Sequence, residues 1–182
     1  MNYFRLLDKV GIPNRWHIGE ILSDGVDVSD LLTEGIPFVG RTPLVADLSY
    51  GGIALPLSFT SFAVPVAHER VGGAIEAVTS AVQRLRLEIP GLRDYEVLNA
   101  VESIDCLDES RSEFLKWTKA DGRPDRLGQY RSVTELRLDR ARIPRGADWF
   151  RVKKWEIALI VSSDVRRVLE EQQVASVTFH AV

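Results

Sequence analysis

The spacing of hydrophobic and polar residues changes several times along this chain of 182 residues. Five of the eight prolines lie at or before Pro65 and seven of the thirteen glycines at or before Gly52, which predicts short strands joined by turns. Apolar residues then recur at intervals of three and four, which predicts a helix over residues 66–81. Gly72 and Gly73 lie in its middle, and such helical glycines indicate close packing against a sheet.

Alternating apolar and polar residues predict strands in the second half of the chain. The segments RLRLEI and YEVLNAVESIDC flank the turn sequence PGLRD, which predicts a β-hairpin. The continuous apolar run WEIALIV predicts a central strand that is covered on both faces. Ser162 or Ser163 can cap a second helix over residues 163–173, and ASVTFHAV predicts a last strand.

Together these elements predict an α+β fold with about two main helices and a mostly antiparallel or mixed sheet. We expect one domain, 1–182, in which a turn-rich part, 1–65, packs on an α+β part, 66–182. The composition, with 45% hydrophobic and 27% charged residues, is that of a folded globular protein.

The same sequence predicts a cytoplasmic protein without a membrane segment. Cys106 is the only cysteine and lies in an apolar strand, where a buried inert thiol is expected and no intramolecular disulfide can form. The first residues do not combine a basic region with a continuous apolar region, as a signal peptide does. The uncharged stretch 48–67 is interrupted by glycines and prolines, so it predicts buried strands and turns.

Charge is distributed unevenly along the chain. Residues 1–109 carry eight basic and sixteen acidic side chains, whereas residues 110–154 carry thirteen basic and six acidic ones. Such asymmetry bears on partners and on encounter rather than on fold.

The densest polar segment is RSEFLKWTKADGRPDRLGQYR, residues 111–131. A short helix around 112–119 would place Phe114 and Trp117 on one face, while DGRP is typical of a turn. Arg111 or Arg131 can pair with Glu113 or Asp121 and so order a long loop. Trp, Tyr and Arg are also the residues that protein interfaces favour at their energetic centres, so both interpretations stay open.

Two other classes of function remain as alternatives. A small metal-dependent nuclease or hydrolase would use Asp105, Glu113 and Lys116. A nucleic-acid-binding regulator would use the basic segment 110–154, whose aromatic residues are Phe114, Trp117, Tyr130, Trp149 and Phe150. The pI of about 5.7 disfavours nucleic acid, and the three histidines, His17, His68 and His180, lie in separate segments without a metal-ligand spacing.

The 111–131 segment, with IPNRWHIGE, LSFTSFAVPV and WEIALIVSSDVRRVLEE elsewhere, resembles a bacterial family of predicted immunity proteins from polymorphic toxin systems, typified by a Myxococcus xanthus protein. The resemblance covers nearly the whole chain. The family motif, RSEFxxWxxxDGRPxxxGQYR, falls on Arg111, Ser112, Glu113, Phe114, Trp117, Asp121, Gly122, Arg123, Pro124, Gly128, Gln129, Tyr130 and Arg131.

The resemblance implies a non-enzymatic protein that binds and neutralises a cognate toxin encoded by an adjacent gene, with no cofactor, metal or catalytic residue. A motif that defines a family suits a shared scaffold, so the resemblance favours a structural role for the 111–131 motif. Contact residues would then lie in the acidic segments, which could be steered to a cationic toxin groove. The sequence gives no signal on self-association.

Overall fold

The computed structural model describes all residues, 1–182, and confirms the α+β class. The helices are α1 (Glu69–Glu76) and α2 (Ser163–Glu171). The strands are β1 (Tyr3–Asp8), β2 (His17–Ser23), β3 (Val26–Asp27), β4 (Leu44–Tyr50), β5 (Leu57–Phe59), β6 (Pro65–His68), β7 (Val82–Ile89), β8 (Leu92–Ala100), β9 (Ser103–Ile104), β10 (Glu113–Lys116), β11 (Tyr130–Glu135), β12 (Trp149–Val152), β13 (Trp155–Ser162) and β14 (Val177–Ala181). Neither helix is long and apolar enough to cross a membrane.

The strands form two large sheets and one separate hairpin. The five-stranded sheet has the order β14-β1-β13-β12-β9, and the seven-stranded sheet has the order β3-β2-β4-β7-β8-β6-β5. Only the β9–β12 and β4–β7 pairs are parallel. Strands from residues 1–65 take part in both sheets, since β1 belongs to the first and β2 to β5 belong to the second. The hairpin of β10 and β11 forms a separate two-stranded sheet.

Three apolar clusters make up the core. The first lies between the two sheets and includes both helices, with Leu98 from β8 and Leu159 from β13 among its members. The second covers the other face of the seven-stranded sheet. The third covers the other face of the five-stranded sheet, where Ile160 meets residues of the β10–β11 hairpin such as Tyr130.

The prediction of a central strand from WEIALIV is confirmed, with both faces covered over residues 158–161, whereas Ile157 is 50% exposed. β13 lies between β1 and β12, with Leu159 and Val161 in the first cluster and Ala158 and Ile160 in the third. Because successive side chains of a strand point to opposite faces, a strand buried on both sides needs apolar residues at every position.

The prediction of a helix over 66–81 is wrong in extent, because α1 occupies only Glu69–Glu76. Its first three predicted residues, 66–68, belong to β6 and pair with β8. His68 ends the strand and caps the helix, since its Nδ1 accepts a hydrogen bond from the Arg70 N–H at 3.3 Å. Val66 and Ala67 are both fully buried, so β6 lacks the alternation that marks a strand in sequence.

The predicted β-hairpin, second helix and last strand are present in the structure. β7 and β8 form the expected antiparallel hairpin, with Leu85 opposite Val97. α2 begins after Ser162, whose Oγ accepts a hydrogen bond from the Val165 N–H, and it ends two residues earlier than predicted. Such shifts at helix ends are ordinary.

Two buried arginines tie distant parts of the chain together. Arg15 pairs with Asp8 at the end of β1 and also donates to the Ser58 hydroxyl in β5, so it joins the two sheets. Arg151 donates to the Ala63 carbonyl oxygen at 2.9 Å and to the Glu156 carbonyl oxygen at 3.2 Å. Burial lowers the pKa of Arg151 to about 10.

We expect Gly72→Ala to lower the free energy of unfolding by about 1–3 kcal/mol. A Cβ on Gly72 would lie 1.6 Å from Glu96 Oε1, so Glu96 would have to leave its partner Arg84. Gly73→Ala is the matched control, since its Cβ would meet Arg84 Nη1 at 3.7 Å, an ordinary contact. Urea unfolding of both variants checks this, and equal stabilities would contradict it.

Candidate functional site

The 111–131 motif folds as the β10–β11 hairpin with a long connecting loop, which corrects the prediction of a short helix over 112–119. In β10, Phe114 and Lys116 are half-buried while Glu113 and Leu115 are exposed, a period of two residues rather than 3.6. The loop contains two 3-10 turns, Lys119–Asp121 and Pro124–Arg126.

The base of the hairpin packs on the five-stranded sheet through Tyr130. The Phe114 ring meets the Tyr130 ring edge-on at 5.1 Å between centroids. The Tyr130 hydroxyl donates to Glu109 Oε1 at 2.7 Å, and Lys116 also pairs with Glu109. Burial, reinforced by Glu109, raises the pKa of Tyr130, and the hydrogen bonds from Lys116 and then Tyr130 lower the pKa of Glu109. The Tyr130 N–H donates to the Lys154 carbonyl oxygen, which fixes the hairpin beside the β12–β13 turn.

The loop is held by four side chains, which we call the loop frame: Trp117, Thr118, Asp121 and Arg131. Asp121 Oδ2 accepts hydrogen bonds from the Thr118 N–H at 2.8 Å and from the Thr118 hydroxyl at 2.7 Å. Its Oδ1 accepts from Arg131 Nη1 at 2.7 Å, so the Arg131–Asp121 pair is the one that forms among those the sequence left open. The Arg131 guanidinium lies 5.2 Å from the centre of the Trp117 ring. The bonds from Thr118, with the charge of Arg131, lower the pKa of Asp121.

Backbone hydrogen bonds close the loop above this frame. The Trp117 N–H donates to the Gln129 carbonyl oxygen at 3.0 Å, and the Gly128 N–H donates to the Trp117 carbonyl oxygen at 3.2 Å. Gly122 and Gly128 have φ values of +67° and +83°, a left-handed conformation that favours glycine. The backbone conformation therefore explains why the motif has glycine at these two positions.

The loop tip, residues 122–128, is exposed throughout. Arg123 makes a two-bond pair with Asp125, at 3.1 Å from Nε and 2.8 Å from Nη2, and these are its only side-chain hydrogen bonds. Leu127 is an apolar residue with 51% of its surface exposed. The motif thus divides into a frame that supports the loop and a tip that faces solvent.

The start of the motif is anchored to the segment after β11. Ser112 Oγ donates to the Arg137 carbonyl oxygen at 3.1 Å and accepts from the Arg137 N–H at 2.9 Å. Arg111 pairs with Asp108, not with Glu113 or Asp121, and donates to the Leu138 carbonyl oxygen. Hydrogen bonds from Ser110 and then Arg111 lower the pKa of Asp108 to about 2.

Most cations of the basic segment 110–154 are paired with carboxylates, either in the segment itself or in the preceding residues 105–109. Eight of its thirteen cations are in ion pairs: Arg111, Lys116, Arg123, Arg126, Arg131, Arg137, Arg142 and Lys154. Of its aromatic side chains, Tyr130, Trp149 and Phe150 are buried, so they have no free face for stacking on bases. This arrangement gives the nucleic-acid alternative little support.

The residues of the hydrolase alternative do not converge. Asp105 pairs with Lys154, Lys116 pairs with Glu109, and the Glu113 carboxylate accepts a hydrogen bond from the Thr134 hydroxyl. No group of three or more His, Cys, Asp or Glu side chains is arranged to hold a metal ion. Cys106 is buried, which raises the pKa of its thiol to about 12 and keeps it protonated.

Sequence reasoning missed Thr118 and Glu109 as parts of the site. Thr118 and Asp121 form a reciprocal capping box, and the T-x-x-D spacing was a signal for it in the sequence. Glu109 carried no such signal, because its partners Lys116 and Tyr130 are brought to it only by the pairing of β10 with β11.

Comparison with known proteins adds no relative. The chain matches no protein-family model and no curated protein. The functional hypothesis therefore depends on the motif resemblance.

We expect Asp121→Ala to loosen the loop without unfolding the protein, because this carboxylate joins Thr118 to Arg131. The backbone amides of Trp117 and Gly128 should then exchange with deuterium faster than in the wild type. Asp125→Ala is the control, since Asp125 pairs only within the loop tip. Unchanged exchange at both amides in Asp121→Ala would show that the frame does not order the loop.

The Asp108 carboxylate should make stability depend on pH. Its pKa is about 2 in the folded chain, below the ordinary value of about 4, so its stabilisation is present above pH ~4 and is lost as the pH falls towards 2. The melting temperature of Asp108→Asn should therefore lie below that of the wild type at pH 6, and the gap should close in acid. A gap that stays constant across this range would contradict the assignment.

Proposed function

We propose that the protein is an immunity protein that binds a cognate bacterial polymorphic toxin and neutralises it by non-covalent inhibition. The observation that carries this proposal is the resemblance of residues 111–131 to the immunity-family motif, with every motif position occupied. The toxin would be the product of an adjacent gene, and no cofactor would be needed.

The geometry of the hairpin supports a scaffold role for this motif. Tyr130 packs the hairpin onto the core, and Asp121 and Arg131 hold its loop in one conformation. A preorganised surface loses less conformational entropy on association than a mobile one, so such a scaffold suits a tight inhibitor. The groups assembled here are hydrogen-bonded and ion-paired side chains, which is the chemistry of a structural network.

The distribution of charge supports a protein partner. The cations of 110–154 are mostly paired, whereas residues 17–50 carry six carboxylates and the single cation Arg41. An exposed acidic surface attracts basic partners and accelerates their encounter at low salt.

The test is to mix the purified protein with the toxin domain encoded by the neighbouring gene. We expect a stoichiometric complex by size-exclusion chromatography at low salt and loss of toxin activity in the mixture. Co-expression should also protect cells that the toxin otherwise kills. Absence of both complex and protection would refute the proposal.

Two control measurements address the alternatives. Divalent-metal-dependent hydrolysis of nucleic acid that disappears in Glu113→Ala, with the fold retained, would favour the hydrolase. Salt-sensitive retention of the protein on DNA or RNA would favour the nucleic-acid regulator.

A further inference from the structure

One part of the seven-stranded sheet has no layer over it. The face that meets the helices is covered over β5, β6 and β8, where Leu57, Ala67 and Leu98 join the core. On β2, on β4 and on the part of β7 from Arg86 onward, the same face is open to solvent. We call this surface the open half-face, and its side chains are Glu20, Leu22, Asp27, Val45, Asp47, Arg86 and Glu88.

The strand register places an apolar pair at the centre of the open half-face. Asp27 lies opposite Leu22, Leu22 opposite Val45, and Val45 opposite Glu88. Residues paired across neighbouring strands project from the same side, so these four form one row across four strands. The row reads acidic, apolar, apolar, acidic.

Burial confirms which way this row faces. Leu44 and Ala46, the neighbours of Val45 along β4, are fully buried in the second cluster. Val45 therefore points outward, with 42% of its surface exposed. A one-residue shift of β4 would bury Val45 and expose Leu44, so the buried face fixes this orientation.

The carboxylates of the open half-face are nearly free of cationic partners. Its four acidic residues are accompanied by a single cation, Arg86, whose only ion pair is with Glu88 at 3.9 Å. This is the reverse of the β10–β11 hairpin, where cations and carboxylates neutralise one another. A partner that brings cations would find available carboxylates around an apolar centre.

A groove of about 690 Å³ adjoins this surface beside α1. Arg86 and Glu88 line both the groove and the open half-face, and the buried Glu96 and its partner Arg84 also line the groove. A concavity at the rim of a flat sheet face can accept a protruding side chain, as anchor residues of interfaces require.

We propose that the open half-face is the surface that binds the toxin, and that the toxin meets it with a basic surface. This inference rests on the immunity function proposed above. Leu22 and Val45 would lose water at the centre, and Asp27, Asp47 and Glu88 would pair with lysines or arginines around them. The same charges repel nucleic acid and anionic lipid, so a basic protein is the partner that fits.

The test compares three exposed apolar residues with similar exposure. Val45→Lys places a cation in the open half-face, while Leu127→Lys and Ile157→Lys change the loop tip and β13, where 51% and 50% of those side chains are exposed. The probe is an inactive variant of the toxin domain from the neighbouring gene, measured by calorimetry. We expect Val45→Lys to raise Kd at least about ten-fold and the two controls to leave it within about two-fold.

A second pair of variants tests the charge complementarity. Asp47→Asn should slow association and weaken its dependence on salt, because it removes one carboxylate from the open half-face. Asp125→Asn, on the loop tip, should change neither. Thermal melting of each variant confirms that it is folded before its binding is compared.

The outcomes separate this inference from the function on which it rests. If wild-type protein binds and protects but Val45→Lys binds equally well, the interface lies elsewhere and the immunity function stands. Loss of binding in Leu127→Lys alone would move the interface to the loop tip. If the wild type neither binds nor protects, both proposals fail. If light scattering shows a dimer of this chain that Val45→Lys disrupts, the surface belongs to a second copy.

Discussion

The two-sided burial of β13 is the constraint on which the rest of the structure depends. Leu159 and Val161 face the helices and the seven-stranded sheet, while Ala158 and Ile160 face the opposite side. Neither face can be left to water, because exposing a buried Val, Leu or Ile side chain costs about 1.5–3 kcal/mol. One layer is the rest of the domain, and the other includes the β10–β11 hairpin. The hairpin therefore covers this side of the core, with Tyr130 and Val133 as its apolar contacts.

This constraint explains how the charged residues are divided. Ordering the long loop above the core costs conformational entropy, which its hydrogen bonds help to offset. Asp121 and Arg131 order the loop through a hydrogen bond of 2.7 Å, and most cations of 110–154 have carboxylates nearby. The charged residues of the open half-face do not order a loop in this way. Its carboxylates remain free for a partner, so the scaffold and the proposed contact surface are different parts of the molecule.

The sequence predicted the elements whose local pattern matches their surroundings. The hairpin of β7 and β8, the central strand β13 and the helix α2 were identified from a turn between two strand-like segments, a continuous apolar run and a capped 3.6-residue period. The prediction failed for β6 because its two faces are both buried, so Val66 and Ala67 are both apolar and the strand shows no alternation. The prediction failed for β10 for another reason. Phe114 and Trp117 have helical spacing, but Phe114 lies in a strand where its ring packs against Tyr130 of the paired strand.

The sequence by itself determined the α+β class, the central strand and the capped second helix, because each depends on residues whose neighbours are set by local spacing. Only the tertiary structure decided which side of the seven-stranded sheet stays open. That outcome depends on the pairing of Leu22 with Val45 and of Val45 with Glu88, and on helices that cover one half of the sheet. Strands far apart in sequence acquire a common face only when the chain folds, so no local pattern could have placed these residues together.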